Sequence, residues 1–147
     1  MERKFEIVKR LEGIEFELPK RATANSAGYD FYNPEKVIIE AKETKLVKTG
    51  VKVKMNNDEY LELVNRSSNP IKKGLILING VGIIDADYYN NESNEGEMAF
   101  ALYNITDNPV VLEVGDKIGQ AIFHKYYITE DDNAEGERTG GFGSTNK

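Results

Sequence analysis

The chain has 147 residues, 25 acidic and 19 basic, a length suited to one domain that buries roughly two-thirds of its unfolded surface. Having no cysteine and a single histidine, His124, it has no disulfides, thiolate nucleophiles, zinc–thiolate sites or His-pair metal sites, which leaves hard, oxygen-liganded ions such as Mg²⁺. A net charge of -6 opposes a general DNA or RNA binder, and no apolar run nears the roughly 20 residues of a membrane span.

The opening MERKFEIVKR lacks the apolar centre of a signal peptide, so a soluble cytoplasmic protein is expected, with no membrane or nucleic-acid polymer as partner. At 26–31, Ser-Ala-Gly-Tyr-Asp-Phe, Asp30 lies between aromatics and either serves a hydrated Mg²⁺ or caps a loop. Val51, Val53 and Met55 alternate with lysines at the period of a half-buried strand. Residues 60–64, 100–104, 110–114 and 118–123 are further strand-like runs, rich in β-branched and aromatic side chains. Turn signals separate them at Asn33-Pro34, Thr49-Gly50, 56–58, Asn79-Gly80, 107–109 and Gly115-Asp116. This pattern predicts an all-β jelly-roll-like sandwich or barrel. One short helix is predicted, with Asn69 as N-cap, Pro70 at the first helical position, and Lys72, Lys73 and Gly74 at the C-terminal end.

Four more segments carry residues suited to chemistry. Arg66, Ser67 and Ser68 precede the helix start and form either an anion site or ordinary capping. Asn79-Gly80 between two apolar runs predicts a hairpin, and its second arm runs into Asp85, Asp87 and Tyr88. A carboxylate closing an apolar strand is costly unless paired or used, and deprotonating a water is one use for Asp85; the alternative is a turn, the better reading for Asp87. Gln120 lies inside an apolar strand and needs partners, either a water or a core amide. His124, at the end of that strand, is assigned to structure.

Residues 129–137 (TEDDNAEGE) are acidic and core-free, and a glycine-rich tail follows. There Gly140, Gly141 and Gly143 suit a phosphate-binding nest, Ser144 and Thr145 add hydroxyls, Arg138 adds a fork for two phosphate oxygens, and Phe142 suits stacking on a nucleobase. A flexible terminus is the alternative.

In this order, the segments at 26–30, 66–68, 79–88, 115–120 and 138–145 resemble the five motifs of the homotrimeric dUTPase family. The resemblance implies a β jelly roll through residue 128, then a linker and arm over 129–147 donated to a neighbour's site in a trimer. It implies hydrolysis of dUTP to dUMP and pyrophosphate with Mg²⁺. In that scheme Asp85 activates the attacking water and Asp30 holds Mg²⁺ through coordinated waters. Arg66, Ser67 and Ser68 grip phosphate oxygens, while Gln120 orders water or phosphate. Asn79 and the backbone of Gly82, Ile83 and Ile84 read the uracil edge, and Tyr88 excludes a 2′-hydroxyl. Phe142 covers the base while Arg138, Gly143, Ser144 and Thr145 enclose the terminal phosphates.

The chain departs from the family pattern in three places. Residues 89–95 replace the usual Arg-Gly-Glu with a polar insertion suited to a partner surface, Arg138 stands one residue closer to Phe142, and Lys117 replaces a common Arg. The rival enzyme reading is a dCTP deaminase of the same fold. The rival of another class is a dUTPase-like regulatory protein that binds a repressor.

Overall fold

Residues 59–64 show the alternation that builds the molecule: Glu59, Leu61 and Leu63 turn inward while Tyr60, Glu62 and Val64 are half-buried. The computed structural model describes residues 2–141. In chain order the described strands are β1 (Lys4–Ile7), β2 (Lys20–Arg21), β3 (Tyr29–Tyr32), β4 (Val37–Ile39), β5 (Thr44–Lys48) and β6 (Val51–Lys54). They continue with β7 (Glu59–Val64), β8 (Leu75–Leu77), β9 (Gly82–Asp85), β10 (Ala99–Asn104), β11 (Val110–Leu112) and β12 (Lys117–Lys125).

The two principal sheets run β2-β3-β12-β7-β9 and β5-β10-β8, with ribbons β1-β6 and β11-β4 beside them. Every pairing is antiparallel. Phe31, Leu61, Leu63 and Ala121 from the larger sheet join Phe100, Leu102, Val47 and Leu75 from the smaller one in a single core, the all-β jelly-roll arrangement expected. Burying a side chain such as Leu61 contributes about 1.5–3 kcal/mol. Gly119 lets the sheets meet, because a Cβ there would stand 2.2 Å from the Phe100 ring. The register between β12 and β3 shifts at the same place. Among the described residues no helix is long and apolar enough to cross a membrane.

Three local expectations are corrected. The Asn79-Gly80 turn forms, with Gly80 at φ 78° and its N–H donating to the Leu77 carbonyl at 3.0 Å, but its arms do not pair. Instead β8 pairs with β10 and β9 with β7, so the turn carries the chain from one sheet to the other rather than closing a hairpin. The short helix is a single π-type turn, Asn69–Lys73, whose cap position is Ser68 with no side-chain cap bond. Asn69 is fully buried, its Nδ2 donating to Asn65 Oδ1 at 2.8 Å and to the Ile118 carbonyl at 3.1 Å. Lys52, expected to face water, is only 8% exposed and lies under the 89–95 loop. Strands β1 to β5, of two to five residues each, are too short to announce themselves in the sequence.

Candidate active site

Two polar clusters occupy the larger sheet. The first is built where β9 ends. Ile84 turns inward and Asp85 outward by the strand alternation, and a 3₁₀ turn, Ala86–Tyr88, drops the Tyr88 ring back into the core at 4% exposure. The Tyr88 hydroxyl donates to the Glu97 carbonyl at 2.9 Å, and burial pushes its pKa above the ordinary tyrosine value. A pocket of about 180 Å³ is bounded by Asn79, Gly82, Ile83, Ile84, Asp85, Tyr88 and Arg138, all site residues expected from sequence. Its other walls are Leu63, Ala99 and Gly141. The backbone of β9 forms one wall, and among the described residues its edge away from β7 has no strand partner.

Between residues 126 and 141 the chain has no helix or strand, yet it is anchored. The Tyr126 N–H donates to the Asp58 carbonyl at 3.1 Å, and Arg138 clasps both acidic residues of the first cluster. Its Nε donates to Asp87 Oδ1 at 2.7 Å and its Nη2 to Asp85 Oδ2. A Cβ on Gly141 would lie 2.5 Å from the Tyr88 ring, so only glycine lets the arm lie flat there. Asp87 is therefore both the turn residue expected and an anchor for the arm. Phe142, Gly143, Ser144 and Thr145 lie outside the described residues.

The second cluster gathers Asp30 of β3, Gln120 of β12, and Arg66 and Ser68 beyond β7. Arg66 Nε stands 3.5 Å from Asp30 Oδ1, and Lys117 Nζ 3.3 Å from Asp30 Oδ2. Arg66 Nη1 donates to Ser68 Oγ at 3.2 Å, and Ser67 is exposed. Gln120 Nε2 donates to the Asn65 carbonyl at 3.3 Å. The five-residue π turn is too short to focus a helix dipole, so the positive charge of this cluster comes from Arg66 and Lys117. One carboxylate between two cations is no resident metal cage, and the described residues hold no group of three His, Asp or Glu suited to one. Asp30 fits a Mg²⁺ that carries most of its own oxygen ligands.

Two contributors to this cluster, Gly28 within the 26–30 segment and Asn65 beside Arg66, have no role assigned from sequence. Gly28 is needed because a Cβ there would meet Gln120 Oε1 at 2.3 Å. Asn65 accepts from the Arg66 N–H at 3.0 Å and donates to the Leu75 carbonyl at 3.1 Å, fixing the bend after β7. A polar side chain at the exit of an apolar strand was its only signal. His124 stacks on Tyr60 with ring centroids 5.1 Å apart, in the structural place expected for it.

The clusters are separate within one chain. Asp30 faces Gln120 and Gln120 faces Val64, whereas Asp85 faces Tyr60, four residues back along β7 and one strand farther out. With about 4.8 Å between strands and about 3.3 Å per residue, the two carboxylates stand about 20 Å apart.

A protein-family model described as dUTPase matches residues 14–146. The deoxyuridine 5′-triphosphate nucleotidohydrolase of Lactococcus lactis is 48% identical over 145 residues, covering 97% of each chain. That of Glaesserella parasuis is 34% identical over 96% of this chain and 95% of its own. The crystal structure of dUTPase from Streptococcus mutans superposes with a TM-score of 0.82 at 47% identity, covering 86% of this chain and 98% of that one. The dUTPase of Staphylococcus aureus phage phi11, at 20% identity and a TM-score of 0.74, shares the fold. With the five ordered segments, the match along nearly the whole sequence and the shared β architecture, this chain belongs to the dUTPase family.

Proposed function

We propose that the protein hydrolyses dUTP to dUMP and pyrophosphate, and that its active sites form between copies of the chain in a homotrimer. The observation that carries the reading is the pocket at the end of β9. It joins a strand edge with no partner among the described residues, an amide (Asn79), a buried aromatic ring (Tyr88) and an outward carboxylate (Asp85) within one small volume.

Each part has a role set by its chemistry. Asn79 and the free edge at Gly82, Ile83 and Ile84 present donors and acceptors to the uracil as a neighbouring strand would. The Tyr88 ring packs on the deoxyribose and leaves no room for a 2′-hydroxyl. Asp85 takes a proton from the water that attacks the α-phosphorus, while the α–β bridging oxygen leaves with pyrophosphate. Arg66, Ser67, Ser68 and Gln120 hold phosphate oxygens. Asp30 would hold a hydrated Mg²⁺, which when bound would supply charge neutralisation for the polyphosphate.

The gap of about 20 Å, the diagonal of three strand spacings across the sheet and four residue rises along it, supports assembly from copies. One chain cannot close both clusters on one nucleotide, but the Asp85 half of one copy can face the Asp30 half of another. The arm, 129–147, completes each site. Phe142 covers the base, and Arg138, Gly143, Ser144 and Thr145 enclose the terminal phosphates. For that, Arg138 exchanges Asp85 for phosphate oxygens, which frees the carboxylate as the nucleotide is enclosed. The deciding experiment is a panel of deoxynucleoside and ribonucleoside triphosphates with Mg²⁺, scored for pyrophosphate and ammonia together. Pyrophosphate from dUTP alone is expected; ammonia from dCTP would instead identify a deaminase.

A further inference from the structure

The loop at 89–95 and its exit at Gly96 spend their polar groups on Tyr88 and on the body of the protein. Asn94 Nδ2 donates to the Tyr88 hydroxyl at 2.6 Å, so that hydroxyl, which also donates to Glu97, is satisfied on both sides. Asn91 Nδ2 donates to the Tyr88 carbonyl at 2.7 Å and to Asn94 Oδ1 at 2.8 Å. The Gly96 N–H donates to Asn94 Oδ1 at 3.1 Å, and a Cβ at Gly96 would stand 2.7 Å from the Tyr88 carbonyl oxygen.

The loop is itself anchored. Lys52 Nζ donates to Asn90 Oδ1 at 2.6 Å and to Glu95 Oε2 at 2.7 Å, and the Tyr89 hydroxyl donates to Glu6 at 2.6 Å. Glu97 is held by two guanidinium bonds from Arg10, at 2.8 and 2.6 Å, and by the Gly50 N–H at 2.9 Å. The Ser93 N–H donates to the Thr139 carbonyl at 3.2 Å, which ties the loop to the arm.

We propose that Asn94 is a positioning residue for sugar selection: by holding the Tyr88 hydroxyl it fixes the ring at the depth where a 2′-hydroxyl collides with it. The inference rests on the dUTP reading and deepens it, since it makes discrimination against UTP depend on a side chain that touches no part of the nucleotide. With one of the two hydrogen bonds on its hydroxyl gone the ring can tilt, and a tilt of a fraction of an ångström changes whether one added oxygen fits.

The test uses the full chain with Mg²⁺ and compares kcat/KM for dUTP with that for UTP in four proteins: wild type, Asn94→Ala, Tyr88→Phe and the double variant. Asn94→Ala is expected to lower the dUTP preference about five-fold, the effect of one hydrogen bond, and Tyr88→Phe, which loses the Glu97 bond as well, at least as much. The double variant should fall no further than Tyr88→Phe alone, because that variant already lacks the hydroxyl that Asn94 holds. A purely structural role would lower both kcat/KM values together and leave their ratio alone. That result, or additive losses in the double variant, overturns the proposal. If Asn94→Ala does not fold, Tyr88→Phe decides by itself, and an unchanged preference there overturns it. A wild-type protein inert toward dUTP refutes the hydrolase reading, and this inference falls with it.

Discussion

Arg138 and Asp85 are hydrogen-bonded across 53 residues of sequence, and the same guanidinium holds Asp87. The arm thus reaches the proposed general base through a charged contact of low exposure on the arginine side, 15%, against 49% on the aspartate. An arginine so placed neutralises the carboxylate until something more anionic competes for it, and a triphosphate does.

Replacing Asp85 by Asn keeps the shape and removes the base. Turnover of dUTP should fall by about 10²–10⁴-fold, the range for a lost general base, while binding of a non-hydrolysable dUTP analogue survives. Pyrophosphate release and titration calorimetry measure the two separately. Near-normal turnover would exclude Asp85 as the base.

Deleting 138–147 removes Arg138 and the glycine-rich segment but none of the described strands. The truncated protein is expected to keep its oligomeric state and to melt within a few degrees of the full chain, with little hydrolysis left. Light scattering and a pyrophosphate assay on one preparation check both, and full activity would rule out an essential arm.

Gly28→Ala is a narrower change. The new methyl group displaces the Gln120 amide, which breaks its bond to the Asn65 carbonyl. Because the clashing atom ends a flexible side chain, the stability cost should stay within about 1 kcal/mol, whereas activity should drop several-fold. A melting curve beside the turnover number separates the two effects.

Tyr88→Ala opens the pocket wall. Discrimination between dUTP and UTP should collapse, accompanied by a core loss of about 3–5 kcal/mol for removing a large buried ring. Equal selectivity in this variant would assign sugar recognition to another residue.

The loop over Lys52 should respond to acid. The Glu95 pKa is lowered from its ordinary 4.5, chiefly by the Lys52 hydrogen bond. A carboxylate depressed in the folded state adds stability that is present above its unfolded pKa and lost as pH falls through the folded one. The melting temperature should therefore drop as pH goes below about 4.5, and Glu95→Gln should flatten that part of the profile. An identical slope in the variant would mean that other carboxylates govern acid unfolding.

Much of the site could be read along the chain because its chemistry is written in local runs: Asp85 closing an apolar strand, Gln120 within another, Arg66 before a turn. What sequence could not supply was pairing across distance. Asn79-Gly80 specifies a reversal, but nothing in those residues says that the flanking strands belong to different sheets. Lys52 has the period of an exposed side chain and is covered only because a loop about forty residues later folds over it. The 89–95 insertion reads as polar surface, and nothing in it says that Asn91 and Asn94 hydrogen-bond Tyr88 and that Glu95 holds Lys52. Polarity announces hydrogen bonds without naming their partners.

The distance between the Asp30 and Asp85 clusters also governs how defects combine. A copy disabled at Asp85 and a copy disabled at Arg66 each retain the half that the other lacks. When the two are unfolded together and reassembled, mixed assemblies should regain sites with both halves intact. Two individually dead preparations would rescue each other on blending, as no self-contained catalyst can.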